Sequence, residues 1–181
     1  VTKAGVKYKP EVAPRPLKKP VLPPGFVLVI DSREQEPYFL VAGKPILGIP
    51  MIRTKLDAGD YSIKGFENMI AIERKSLTDF YNCVGNDRTR FEKELERLQS
   101  YEWKGLVIES TESGLFYPQL YSAVHPESVR GSLVSFDIKW GLHIFYAENR
   151  KAGQRWVIDR LIYYYNWKRE IGNANGQNKS T

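Results

Sequence analysis

From Phe26 onward, short apolar runs alternate with stretches of helical period. Phe26–Ile30 is a continuous apolar run of strand length closed by Asp31, and it reads as a buried strand. Met51–Leu56 reads as a second strand. Tyr61–Ile63 and Met69–Glu73 read as the arms of a hairpin across the polar loop Lys64–Asn68. Ser76 opens a helix, and Asp79 three residues later completes a capping box. A second helix follows the break at Gly85, Asn86 and Asp87; its Phe91, Leu95 and Leu98 form one apolar stripe. Leu106–Ile108 is a further strand. Pro126 starts a helix with Val129, Leu133, Phe136 and Trp140 on related faces, and Gly141 stops it. Leu142–Tyr146 is the next strand, and a last helix runs from about Gln154 to Lys168. Strands followed by crossover helices predict an α/β fold, a mixed central β-sheet flanked by helices.

The ends differ from this middle. Residues 1–25 hold Pro10, Pro14, Pro16, Pro20, Pro23 and Pro24, which predicts an extended, flexible leader. Residues 171–181 are polar and predict a flexible tail, so the domain is expected over 26–170. The overall composition, 42% hydrophobic and 27% charged, suits one globular domain. The net charge of +6 is unevenly placed: of 27 basic and 21 acidic residues, six basic and one acidic lie in 1–25, leaving 21 and 20 elsewhere. The folded part is therefore close to neutral, and the leader reads either as a solubilising segment or as a DNA-binding arm. Cys83 is the only cysteine, which excludes an internal disulfide and a cysteine-based zinc site. His125 and His143 have no ligand-like spacing. A metal would have to be held mainly by carboxylates, which favours Mg²⁺, with Mn²⁺ as a substitute, over zinc. With no apolar run of about 18 residues and no signal-peptide pattern, an intracellular location is expected.

Charge then singles out one region. Glu73 and Lys75 are two apart on a strand, so their side chains share a face. Asp60 lies just before the partner arm of the predicted hairpin and reaches the same place. Asp31 ends another strand, with Glu34 just beyond. Clustered carboxylates repel one another and rise in pKa unless a cation neutralises them. A divalent ion would do so, would make a bound water more acidic, and would stabilise charge on a phosphate. Each residue alone also has a plainer reading. Glu73, Arg74 and Lys75 suit a solvated strand end, Asp31 a turn acid, Asp79 a helix cap, and Arg88 and Arg90 a polar helix surface. The order of the parts favours a site: strand and Asp, Gly-Asp before a hairpin, Glu-x-Lys on its second arm, then a capped helix.

In these residues the chain resembles the nuclease domain of the XPF family of structure-specific endonucleases, a branch of the PD-(D/E)xK superfamily. The matching segments are Val29–Glu34, Gly59–Tyr61, Glu73–Asp79, and Arg90 and Phe91 with Glu94 and Leu95. The family signature is GD, a variable gap, then ERKxxxD. The resemblance extends over about residues 26–168, its later part in pattern rather than motif. It implies a restriction-endonuclease-like fold and hydrolysis of DNA, branched or structured DNA in particular. By position, Asp60 and Glu73 would ligate the metal, and Asp31 would complete or neighbour its shell. Lys75 would position or activate the water and stabilise charge on the phosphate. Arg74 would contact the phosphate or hold the site by ion pairing. Glu34 and Asp79 would orient the ligands. Arg33, Arg88 and Arg90 would approach the DNA backbone.

A tandem helix-hairpin-helix module often follows this domain in the family, and no segment of the sequence reads as one. The resemblance also implies dimerisation through the nuclease domain. The last helix carries Trp156, Ile158, Leu161, Ile162, Tyr163, Tyr164, Tyr165 and Trp167 on more faces than one core stripe needs, so a homodimer or heterodimer is expected there; burial on two sides is the other reading. Two other functions stay open at this point, a non-catalytic DNA-binding or scaffold subunit and a nuclease that reads sequence.

Overall fold

The computed structural model describes residues 18–117 and 124–177, with side chains described as far as residue 172. In chain order the elements are β1 (Leu28–Asp31), β2 (Leu40–Val41), β3 (Lys44–Pro45), β4 (Met51–Thr54), β5 (Tyr61–Ile63), β6 (Ile70–Ser76), α1 (Leu77–Val84), α2 (Arg88–Leu98), β7 (Trp103–Glu109), α3 (Pro126–Ile138), β8 (His143–Tyr146) and α4 (Arg150–Gln177). Six strands form one sheet in the order β4, β1, β5, β6, β7, β8; β2 and β3 make a separate small hairpin. β1 runs parallel to β4 and antiparallel to β5, β5 and β6 are antiparallel, and β6, β7 and β8 are parallel. The sheet is mixed, as the alternation of runs predicts.

Two apolar layers cover the sheet. Phe80, Phe91, Leu95, Leu133 and Phe136 from α1, α2 and α3 pack against Ala71, Leu106 and Ile108. On the opposite face Trp156, Val157 and Leu161 of α4 pack with Ile70, Ile72, Val107, Tyr61 and Leu28. A strand turns successive side chains to opposite faces. Odd-numbered positions of β6 therefore face α1 and α2, and even-numbered ones face α4. Each fully buried aromatic or aliphatic side chain contributes roughly 1.5–3 kcal/mol, so this register is strongly held through Ile70–Ile72. The three polar residues that follow inherit it.

Several boundaries differ from those the apolar pattern predicts. β6 continues through Ser76 because it pairs with β7 along its whole length, from Ile70 with Trp103 to Ser76 with Glu109. Backbone pairing carries the strand past the last apolar residue. β7 is longer than Leu106–Ile108 for the same reason. α4 starts at Arg150, where the Asn149 side chain accepts from the Ala152 amide, and runs past Lys168 to Gln177, into the expected polar tail. Residues 1–17 of the expected leader lie outside the described residues. Its end is not loose: Pro20 is buried, and the Pro24 carbonyl accepts from the Tyr165 hydroxyl and Arg169. No helix among the described residues is long and apolar enough to cross a membrane.

Candidate active site

Asp60 is fixed by its backbone neighbours. Gly59 before it has φ of +78°, and a Cβ there would sit 2.9 Å from the Ala71 Cβ. Only glycine combines that conformation with that approach. The Asp60 amide donates to the Ile72 carbonyl, and its own carbonyl accepts from the Asp31 amide. The residue is thus stitched between β1 and β6, and its Oδ2 accepts from the Arg74 amide at 2.7 Å.

Glu73 and Lys75 occupy odd positions of β6 and face α1 and α2. The Lys75 ammonium pairs with Glu73 Oε1 and lies 5.2 Å from the centre of the Phe91 ring. Glu73 is only 3% exposed, and its Oε2 has no hydrogen-bond partner. Burial drives the Glu73 carboxyl well above its usual range, and the nearby Asp60 adds to this. Burial, and then Glu34, push Asp60 up to about 7. Burial opposes the charge on Lys75, but Glu73 and the other acids around it outweigh that effect and hold the ammonium protonated. The result is two carboxylates that resist ionisation in a site already holding one cation. A buried carboxylate oxygen without a donor costs about 1–3 kcal/mol or more.

Arg74 sits at an even position and so projects to the face of β6 opposite Glu73 and Lys75, while still lining the cleft beside Glu34 and Glu36. Its guanidinium makes two hydrogen bonds to Glu109, Nε to Oε1 at 3.0 Å and an Nη to Oε2 at 2.8 Å. It also reaches Glu34 at 3.5 Å and Glu36 at 3.6 Å, and lies 5.2 Å from the Tyr38 ring centre. Ion pairing, one of the two roles the resemblance implies for Arg74, is present in the structure.

Asp31 is expected as a third metal ligand, and its side chain is committed elsewhere. Oδ1 accepts from the backbone amide and Nε of Arg33, and Oδ2 from an Arg33 Nη and the Leu56 amide, all at 2.6–2.8 Å. Burial acts against its charge, but the bonds from Arg33 and Leu56 prevail and lower its pKa. Correspondingly, no three His, Cys, Asp or Glu side chains among the described residues come together as a ready metal cluster. Two carboxylates are available, Asp60 and Glu73, and the buried Glu73 Oε2 has no hydrogen-bond partner among the described residues. That donor set fits a hard divalent cation, since Mg²⁺ typically takes one or two carboxylates and fills its other positions with water and phosphate oxygens.

These groups line an open cleft of about 780 Å³. Arg33, Glu34, Asp79 and Arg90 also line it, and Glu94 and Arg97 join them from α2. The Asp79 carboxylate accepts from the Ser76 hydroxyl, whose oxygen accepts from the Asp79 amide, so Asp79 serves the start of α1 as well as the cleft. Arg88 does not line the cleft; it bonds Glu92 and Ser132, which ties α2 to α3. Three residues assigned no role from sequence bear on the site: Glu94 and Arg97 line the cleft, and Glu109 pairs with Arg74 outside it. Glu94 faces Asp60, Glu73 and Lys75, and its carboxylate accepts from the Gly59 amide at 3.4 Å. Its signal was available: it precedes buried Leu95 by one residue, at the edge of the α2 stripe. Arg97 lies one turn further on and donates to the Asp57 carbonyl. Glu109 had no signal, because its partner is Arg74 on another strand.

Comparisons with known proteins bear on the family and the fold. A family model of the ERCC4 domain matches residues 30–159. Among solved structures, XPF from Aeropyrum pernix is similar with a TM-score of 0.58 at 20% identity, over 83% of this chain and 69% of that one. XPF from Aeropyrum pernix in complex with DNA is similar with a TM-score of 0.58 at 19% identity, over 79% of this chain and 66% of that one. At such identity the likeness establishes the fold, a restriction-endonuclease-like sheet of the XPF nuclease type. No curated protein sequence matches the chain.

Proposed function

The chain belongs to the ERCC4 domain family, and on that premise we propose that it is a divalent-metal-dependent endonuclease that hydrolyses phosphodiester bonds in branched or structured DNA. The observation that carries the reading is the pair Asp60 and Glu73, with the buried, unpartnered Glu73 Oε2 beside the Lys75 ammonium. Asp60 and Glu73 would hold Mg²⁺, with Mn²⁺ as a substitute. When bound, such an ion makes a coordinated water acidic and stabilises charge on a phosphate oxygen. The protein's own part is positioning and charge. Lys75, kept protonated against Glu73, presents a fixed positive charge beside the carboxylates, where the scissile phosphate would lie. Arg33 and Arg90, with side chains 58% and 80% exposed on the lips of the cleft, would bond flanking phosphates. Arg97 extends that line along α2. DNA as substrate draws support from the XPF structure solved with DNA.

Self-association through α4 belongs to the same proposal. Tyr163 and Trp167 are 76% and 43% exposed, although Trp156, Leu161 and Tyr164 of the same helix are buried. One face of the helix is core, and another is an exposed aromatic surface of the kind that association would cover.

The test is cleavage of labelled duplex, flap, fork and single-stranded DNA with Mg²⁺ or Mn²⁺, with Asp60→Asn as control. Metal-dependent cutting of branched substrates that is lost in the variant is the expected result. Clear DNA binding without cleavage under either metal would make the chain a non-catalytic DNA-binding subunit. Cutting of matched duplex at fixed sequences would make it a sequence-reading nuclease.

A further inference from the structure

Glu109 is the last residue of β7 and has no place in the cleft, yet it lies directly behind it. Its carboxylate takes two hydrogen bonds from the Arg74 guanidinium, at 3.0 and 2.8 Å. The side chains of Arg74 and Glu109 are 7% and 21% exposed, so the pairing is largely shielded from water, and its two bonds fix the orientation of the guanidinium. The register of β6 and β7 puts Arg74 opposite Val107, and Glu109 lies two residues on, on the same face of the sheet. A second cation backs the pair. Arg150, in the first turn of α4, reaches Glu109 at 3.9 Å and donates to the carbonyls of Glu36 and Pro37.

The consequence lies on the other side of β6. The Arg74 guanidinium is held by Glu109, and the Arg74 amide donates to Asp60 Oδ2. Two bonds to Glu109 hold the guanidinium in place, so Arg74 is tethered through its side chain as well as through its amide. We propose that Glu109 is a positioning residue for the cation site, acting through Arg74 to hold the Arg74 amide against Asp60 and so fix the angle at which the Asp60 carboxylate faces Glu73. The cation part of this rests on the metal-nuclease reading above; the Asp60 part does not. Partners that orient a ligand without touching the metal typically matter by about 10–100-fold in metal affinity or activity.

The experiment compares Glu109→Gln with the wild-type chain in three measurements. Hydrogen exchange in metal-free protein should show the Arg74 amide exchanging about tenfold faster, while the amides of Ile70 and Ile72 keep their protection. Titration calorimetry with Mn²⁺ alone should show affinity weakened about tenfold. Single-turnover cleavage should fall about 10–100-fold, with the DNA dissociation constant unchanged. Should Glu109→Gln fail to fold, Glu109→Asp keeps the charge but shortens its reach to the Arg74 guanidinium. The same three losses are expected from it. Unchanged Arg74 amide exchange in a folded variant overturns the proposal, as does a loosened amide with wild-type Mn²⁺ affinity and cleavage. If wild-type protein neither binds Mn²⁺ nor cuts DNA, the metal-nuclease reading fails, and amide exchange alone decides whether Glu109 positions Asp60.

Discussion

At Asp60 two demands conflict. The fold wants the side chain buried between β1 and β6, and a cation site wants it ionised. Burial and Glu34 lift it from the usual 3.8 to about 7, so the folded chain keeps a proton that the unfolded chain sheds. A raised acid contributes stability that is full below about 3.8 and is lost as pH rises through about 7. At about 1.4 kcal/mol per pH unit the ceiling on that loss is about 4 kcal/mol. Asp60→Asn keeps an oxygen for the Arg74 amide and cannot ionise. In chelator, the variant should therefore melt above wild type at pH 8, with the gap closing toward pH 5; an equal gap at both values would sink the argument. The same proton links pH to metal. At limiting Mg²⁺, cleavage should rise with pH through about 7, and saturating Mg²⁺ should move the midpoint to lower pH because the ion competes with the proton. A midpoint insensitive to Mg²⁺ concentration would mean that Asp60 is not a ligand. Lys75 obeys the opposite logic, since it is already charged. Lys75→Ala should lower single-turnover cleavage by about 10²–10³-fold while circular dichroism shows the fold intact, and wild-type rates in that variant would exclude Lys75 from the chemistry.

Among the elements, β6 and α1 meet at the cleft, and Ser76 is the joint. It ends the strand opposite Glu109, and its hydroxyl caps the helix through the Asp79 amide at 3.1 Å. Ser76→Ala should cost about 1 kcal/mol, read as a lower denaturant midpoint with unchanged slope. A cost near zero would mean the Asp79 carboxylate alone serves the helix end. This joint was legible in the sequence, because capping is local chemistry at three-residue spacing. So were the faces of Glu73 and Lys75, since parity along a strand needs no tertiary information. Parity also turns Arg74 to the opposite face, but where its guanidinium goes depends on β7. Parallel pairing of β6 with β7 joins residues some thirty positions apart, so neither the true end of β6 nor the Glu109 partner had a local signature. Asp31 shows a second limit. Its strand-end position was readable, but its commitment to Arg33 and Leu56 depends on a turn and on a loop more than twenty residues away. Arg88 is a third case: a polar helix surface does not say which arginine meets a neighbouring helix, and Ser132 of α3 decides it.

For the whole molecule, the cleft and the aromatic surface stand on different parts of the sheet. The carboxylates sit at β5 and β6, while β8 ends the sheet among the described residues. Beside β8, α3 exposes Val134 and Ile138 at 58% and 80%, and α4 exposes Tyr163 and Trp167. Trp103, Tyr163, Tyr164 and Trp167 line a groove of about 590 Å³ with Asp159 and Arg160 at its side. Apolar side chains on two helices flanking an open sheet edge are a surface that association would cover, and a stable interface needs about 1,200 Å² or more in total. Arg160 lies 4.6 Å from the centre of the buried Trp156 ring and places a charge at the side of this groove. The expectation is a dimer by sedimentation at tens of micromolar concentration and a monomer for Tyr163→Glu with Trp167→Glu. That double variant should keep its melting temperature in dilute solution, because both side chains are largely outside the core. A wild-type monomer at that concentration, or a variant that still dimerises, would remove α4 from the interface and leave its aromatic face to some other partner.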